Sequence, residues 1–452
     1  MKAPQDIAPD DARGRLAGAS AIVAGAGLAG LAAAWQLRTW GCAVRVLEAR
    51  ERVGGRVWTV RDGFAEGQHA EAGADLIDEG QATIRGFAER FGLATVRILR
   101  DGFAGYRLDD DGTRALRRSA RGWDEMYRRL EGDVRAFRTA GCDWTSPVAA
   151  AIGARSIARW LDDVGAGPAL RSMAASLGGF FAADPEDLSL LVLVEQLALD
   201  DPPGLYRIAA GNDTLAAALA RGLDVALGHA VRGVRDDGAR VAVSFTDRAG
   251  RSGETIADAV VLALPAPLLR EVALAPALPE RQAEAIARLR HGPATKASLQ
   301  FARRFWREEG RASAVGSDMP HGAVWDANEQ QAGTAGILTL LAGGRAAGAL
   351  SRRLAGDGLD ALRADLAWLG AAPVAVIGGH VARWTEDPWS RGAYAAFDAG
   401  FAPALRPWLA RPHGRVAFAG EHTSARWQGY MNGALESGLR AAHDVAAAVR
   451  PL

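Results

Sequence analysis

Two cysteines in 452 residues, Cys42 and Cys142, exclude a disulfide framework and any cysteine-built metal cluster. Neither sign of charge is in excess. Lys+Arg and Asp+Glu both total 53, so no net field draws the chain to nucleic acid or an anionic membrane. The apolar stretch from Ala21 to Trp35 is too short and too glycine-rich to span a bilayer. Met1 to Ser20 mixes acids, prolines and arginines and lacks the apolar core of a signal peptide. No membrane tail is read after the last helical pattern, so the expected location is the cytoplasm. Lysine is almost absent as well. Only Lys2 and Lys296 occur, so 51 of the 53 basic residues are arginine (53 − 2). A single internal lysine in such a chain is conspicuous.

What is present is ordinary in bulk: 49% apolar and 23% charged residues, and enough length for two domains around a large core. The organising stretch is Ala21-Ile22-Val23-Ala24-Gly25-Ala26-Gly27-Leu28-Ala29-Gly30-Leu31. A short apolar strand ends at Gly25, and a helical pattern begins just past Gly27. The spacing of Gly25, Gly27 and Gly30 suits dinucleotide binding. The first glycine allows the tight turn, the second lets backbone approach a pyrophosphate, and the third lets helix lie on strand. The helix N-terminus offers unpaired N–H groups and a positive dipole end to phosphates. Val44 to Glu48 reads as the second strand, and Glu48 falls 18 residues after Gly30, where an acid accepts hydrogen bonds from a ribose. Val53-Gly54-Gly55-Arg56-Val57 comes next as a second phosphate-hugging loop.

From about Ala82 to Pro202 apolar residues recur at helical spacing, in Ile84-Phe87-Ala88-Phe91, Met126-Leu130-Val134-Phe137 and Ile157-Trp160-Leu161. Asp200 to Gly204 closes that mainly helical insertion. Ala230–Arg235 and Arg240–Phe245 read as a hairpin turned by Asp236-Asp237-Gly238, and Ala259 to Pro265 as a buried strand. The strand Lys296 to Phe301 alternates, so Lys296 shares a face with Ser298 and Gln300. An ammonium is compact and can lose its proton when buried, which arginine cannot.

Taken together, the glycine loop, Leu47-Glu48-Ala49-Arg50 and Val53 to Val57 resemble the FAD-binding start of the flavin amine oxidases, which include monoamine, polyamine and L-amino-acid oxidases. Glu71-Ala72-Gly73-Ala74-Asp75-Leu76-Ile77 is similar to the family segment that runs beside the flavin, with Ala74 where a second glycine is common. Tyr206 to Leu215 resembles the return to the FAD domain, a turn opening a helix. Val381 to Tyr394 resembles the segment in which monoamine oxidases present a glycine pair, a cysteine and a tyrosine. Here Arg391-Gly392 replaces the pair and Ala393 the cysteine. Phe418-Ala419-Gly420-Glu421-His422-Thr423 and Trp427 to Gly438 resemble the closing strand, turn and flavin-facing helix.

The resemblance implies an α/β fold: a Rossmann-type FAD-binding domain (1–85, 203–286 and 386–452) with an inserted α+β substrate-binding domain (86–202 and 287–385). It implies cofactor contacts at Gly25, Gly27, Gly30, Glu48, Arg50, Gly55, Arg56, Ala74, Val231, Trp384, Gly420, Glu421, Tyr430 and Met431. FAD is expected to be held without a covalent bond, because Ala393 has no thiol. Lys296 matches a lysine that holds a water at flavin N5, and Tyr394 and Tyr430 match the walls of an aromatic cage. His422 is expected to be structural, and no metal is expected. The implied activity is oxidation of an amine to an imine, hydrolysed to an aldehyde, with dioxygen reduced to hydrogen peroxide. The partners are then an amine and dioxygen, with neither nucleic acid nor membrane, and a homodimer is left open. Three alternatives stand beside it: an L-amino-acid oxidase, a flavin desaturase or dehydrogenase of a biosynthetic pathway, and a non-catalytic scaffold. The first should carry an arginine clamp for a carboxylate, and none is recognisable around Asp78-Glu79-Gly80-Gln81.

Overall fold

Strands Ser20–Ala24 and Ala43–Leu47 are short, β-branched or small, and separated by one alanine-rich helix, Leu28–Thr39. Small side chains let that helix bury nearly all of its surface, from Leu28 through Leu37. A strand–helix–strand unit of this kind pairs its strands in parallel. In the computed structural model both strands lie in a five-stranded parallel sheet in the order Asp224–Ala226, Ala43–Leu47, Ser20–Ala24, Ala259–Leu262, Val416–Phe418. The structure describes residues 14–449 apart from 101, 104, 111–112, 119, 200–203, 311–313 and 370–373. The expected loop at Asp200 to Gly204 lies outside the described residues except for Gly204, as does the N-terminal stretch 1–13.

A second, seven-stranded sheet stands apart from the first. Its order is Val376–Arg383, Ala294–Phe301, Gly336–Gly343, Ala323–Asp326, Ala314–Ser317, Gly105–Asp110, Thr113–Arg118. It is antiparallel except where Ala314–Ser317 runs parallel to Gly105–Asp110. Helices between Ala120 and Ala198 pack beside it around Met126, Leu130, Trp160 and Leu193. The fold is therefore α/β, a nucleotide-type parallel sheet joined to a mixed sheet with its own helices.

Several expectations need adjustment. The region read as mainly helical also holds strands at Thr95–Ile98, Gly105–Asp110 and Thr113–Arg118. The segment Tyr206 to Leu215 does hold a turn opening a helix, at Ala209 to Asn212 before the helix that starts at Asp213, but Leu205–Ile208 ahead of it is a strand paired with Thr95–Ile98 and Ile77–Asp78. Ala259–Leu262 is a buried strand as expected, and Val416–Phe418 lies beyond it at the edge of the parallel sheet. The strand Ala294–Phe301 alternates in polarity yet is buried at every position, lying between two neighbours and covered on both faces. The hairpin at Asp236-Asp237-Gly238 is present, joining Ala230–Asp236 to Val241–Thr246.

Two glycines hold the parallel-sheet layer tight. A Cβ on Gly30 would lie 1.9 Å from the carbonyl oxygen of Gly25, so only glycine lets the first helix rest on its own strand. A Cβ on Gly438 would lie 2.1 Å from the carbonyl of Ala29, where the last helix, Met431–Val449, crosses the first. Backbone blocks this contact, and no rotamer relieves it. Gly438→Ala should therefore lower the free energy of urea unfolding by about 1–3 kcal/mol. Unchanged stability would mean that the two helices separate freely.

Candidate active site

In a parallel sheet the carboxyl ends of the strands form the natural binding crevice. Here each of four strands ends in a residue of the same cavity: Gly25 after Ala24, Glu48 after Leu47, Ala263 after Leu262, and Gly420 beyond Phe418. That cavity has a volume of about 880 Å³ and runs from the glycine loop to the mixed sheet. Gly25 takes φ +100°, a conformation closed to most side chains, and its Cβ would meet the Ala263 carbonyl at 2.7 Å. Gly27 bridges to Gly54, while Gly55 packs so closely that a Cβ would sit 3.1 Å from the Gly27 Cα. Gly27 precedes the helix without a side chain to cap it, leaving the first helical N–H groups to a ligand on that wall.

Glu48 is buried and accepts the N–H groups of Ala26 (2.6 Å) and Arg50 (2.8 Å). Burial pushes its carboxyl upward, and these two bonds oppose that shift. Arg50 forms two 2.7 Å bonds with Asp387 and another with Ser390. Arg56 donates to the Ala393 carbonyl (2.6 Å) and to Glu421 (2.9 Å). Trp384 donates to the Ala72 carbonyl at 2.9 Å. Arg391, where the resemblance leads one to expect glycine, takes φ +51° and pairs with Glu271.

Every expected cofactor residue except Gly30 lines this cavity: Gly25, Gly27, Glu48, Arg50, Gly55, Arg56, Ala74, Val231, Trp384, Gly420, Glu421, Tyr430 and Met431. Gly30 instead serves the contact of helix with strand. Lys296, Tyr394 and Tyr430 line the same cavity. The residues fit a dinucleotide: a side-chain-free cradle, a buried ribose-type acid, and a second helix N-terminus at Met431 beside Tyr430.

At the other end the walls are apolar. Phe103, Phe180 and Trp325 form one aromatic cluster, with the Phe103 and Phe180 rings 4.7 Å apart and edge to face. Tyr394 donates its hydroxyl to the Phe180 carbonyl at 2.6 Å. Burial raises its phenol far above the ordinary value, so it stays protonated. Lys296 is 4% exposed and gives hydrogen bonds to the Gly73 carbonyl (2.9 Å) and to Asp75 (3.0 Å). Burial lowers its pKa, and the Asp75 carboxylate opposes that shift. Glu71 next to this pair is pushed up to about 7, chiefly by burial.

Some functional residues carry no signal in the sequence. Asp75 lies in the segment that resembles the one beside the flavin, yet nothing there marks it for a role; its partner Arg207 lies unmarked in the Tyr206 to Leu215 segment, and Trp325 belongs to no motif. Glu195 is another. It accepts from Trp144 (2.7 Å), Arg406 (2.8 Å) and Gln428 (2.6 Å), tying the helical insertion to the loop before Tyr430. These groups are far apart in sequence, and no local pattern links them.

His291, Glu421 and His422 bring ligand-type atoms within 4.8 Å of one another. Glu421 is already committed to Arg56 (2.9 Å) and to the N–H groups of Gly429 (2.7 Å) and Ala395 (3.2 Å). A guanidinium thus stands where a metal cation would need that carboxylate. Burial holds His422 down at about 4, and His291 also well below its ordinary value.

Residues 28–446 match the family model for flavin-containing amine oxidoreductases. The chain is 29% identical to AofH of Mycobacterium tuberculosis, a protein named for a flavin-containing monoamine oxidase, over 94% of this chain and 96% of that one. It is 25% identical to an L-amino-acid oxidase of Notechis scutatus scutatus, over 94% of this chain and 86% of that one. Among solved structures it resembles putrescine oxidase bound to putrescine, with TM-score 0.82 and 25% identity over 95% of this chain and 99% of that one.

Neutral burial of the histidines has a consequence in acid. The folded His422 titrates near 4 and the unfolded one near 6.5, so its stabilisation is complete above 6.5 and is lost as pH falls through 4. In that window the unfolding free energy should drop about 1.4 kcal/mol more per pH unit in wild type than in His422→Gln. Parallel pH profiles of urea unfolding would contradict the neutral, buried assignment.

Proposed function

The chain belongs to the flavin-containing amine oxidoreductases, and on that premise we propose that it oxidises a neutral amine with non-covalently held FAD and dioxygen. The observation that carries this reading is the meeting of Lys296, Tyr394 and Tyr430 with the glycine-loop residues in one cavity. Gly25, Gly27, Glu48, Arg56, Glu421 and the N-terminus at Met431 would hold the cofactor. Its flavin, when bound, supplies a two-electron acceptor for the hydride equivalent leaving the carbon beside nitrogen, and dioxygen then becomes hydrogen peroxide. The imine so formed hydrolyses to an aldehyde. Ala393 lies on the cavity wall without a thiol, and Cys42 and Cys142 are not among the lining residues, which supports a non-covalent attachment.

The chain's own groups orient the substrate more than they move protons. Tyr394, locked by its hydroxyl bond to the Phe180 carbonyl, is a rigid wall. Tyr430, held edge to face against Trp427, is assigned as the second wall. Aromatic faces suit an amine nitrogen and its adjacent C–H bonds, and the surrounding apolar side chains exclude water. Lys296, with two of its three donors engaged, has one left for a water in the cavity. Tyr394 keeps its own proton and takes none, which favours an amine that arrives neutral.

An amino acid would need a cation for its carboxylate. Among the described residues the lining arginines are Arg50, Arg56, Arg232 and Arg391. Three are bound to Asp387, Glu421 and Glu271, and Arg232 donates to Thr246 at 3.1 Å. Three of the four lining arginines are thus neutralised by carboxylates, which favours amines over amino acids. The division into a cofactor part and a substrate part is kept within the proposal, with helix Ala82–Arg90 assigned whole to the first. Its Ile84 and Phe87 pack in that core. No described helix is long and apolar enough to cross a membrane, and a cytoplasmic enzyme is proposed.

A peroxide-coupled screen of amines, diamines and amino acids tests the reading. Neutral amines should be the better substrates, with turnover rising as pH approaches each amine's own pKa. Amino acids turned over far faster than every amine would overturn it.

A further inference from the structure

Asp75 is a carboxylate, 7% exposed, on which three donors converge from three strands of two sheets. Its Oδ1 accepts from the Arg207 guanidinium on Leu205–Ile208. Its Oδ2 accepts from Lys296 Nζ on Ala294–Phe301 (3.0 Å) and from Trp325 Nε1 on Ala323–Asp326 (2.9 Å). The ammonium lies 5.1 Å from the centre of the Trp325 ring and also donates to the Gly73 carbonyl. Gly73 is pinned in turn, since a Cβ there would lie 2.0 Å from the Arg56 carbonyl.

The charged groups facing Lys296 are therefore Asp75, Glu71 and Arg207. Remove Asp75, and the buried ammonium is left beside a guanidinium, with Glu71, whose own carboxyl burial pushes up to about 7, as its counter-charge. Such a site expels the proton and frees the side chain. We propose that Asp75 is the positioning residue that keeps Lys296 an ammonium at the cavity wall, with its remaining donor left for the cavity. That donor's use in catalysis rests on the amine oxidase reading. The charge and place of Lys296 do not.

The chain supplies its own probe, because its only lysines are Lys2 and Lys296. Holoenzyme grown on lysine labelled with ¹³C at Cε should give two resonances, with Lys2→Arg identifying the one from Lys296. In wild type the Lys296 signal should hold its ammonium shift through neutral pH. In Asp75→Asn its titration midpoint should fall by about 1–3 pH units, and Asp75→Glu should restore most of the shift. A wild-type Lys296 that is already neutral at pH 7 overturns the proposal, and this holds even where Asp75→Asn fails to fold. An Asp75→Asn midpoint equal to that of wild type overturns it equally. A protein that keeps the charged Lys296 but oxidises no amine would count against the proposed function and leave Asp75 in its role.

Discussion

The close approach of Gly30 to the Gly25 carbonyl sets where the nucleotide end of the molecule can form. With no side chain between them, helix Leu28–Thr39 lies directly on strand Ser20–Ala24, and its N-terminus opens at the sheet's carboxyl edge. The last helix then rests on the first through Gly438, which brings Met431 and Tyr430 to the same edge. Two helix ends and a crevice are thus superposed by contacts that only glycine allows. The positive ends of both helices face the region where a dinucleotide's phosphates and its reducible ring would lie.

The far end of the cavity depends on buried charge instead. Asp75 links two sheets through Arg207, Lys296 and Trp325, and Glu195 links the helical insertion to the Tyr430 loop through Arg406 and Gln428. Arg406 also lies 4.0 Å from the Trp144 ring centre. A buried pair of this sort adds little net stability over an apolar replacement. Stranding one partner costs about 3–5 kcal/mol, so the pair tolerates no other arrangement. Rigid placement of Tyr430 and Lys296 comes from that intolerance more than from added stability.

Much of the nucleotide end was legible in the sequence because its determinants are local. Gly25, Gly27, Gly30 and Glu48 lie within one strand–helix–strand unit, and their spacing carries the geometry. The lone internal Lys296 was visible from composition, and its matched partners Tyr394 and Tyr430 from motif. Its counter-ion was not, because Asp75 meets Lys296 across 221 residues. The same holds for Glu195 and Arg406, 211 residues apart. The strands at Gly105–Asp110 and Thr113–Arg118 were hidden for another reason: they join the edge of a sheet whose other members come much later in the chain. At Ala294–Phe301 alternation marked which side chains share a face but not that both faces are covered, and polar Thr295, Ser298 and Gln300 are each buried with hydrogen-bond partners of their own.

One cavity is assigned both a flavin and an amine, and an anaerobic titration examines both at once. The purified protein should be yellow, and a neutral amine added without oxygen should bleach it, with the colour returning when air is admitted. Acid precipitation should then release all of the flavin to the supernatant. A protein that purifies without flavin, or whose bound flavin stays oxidised with every amine tried, would contradict the account.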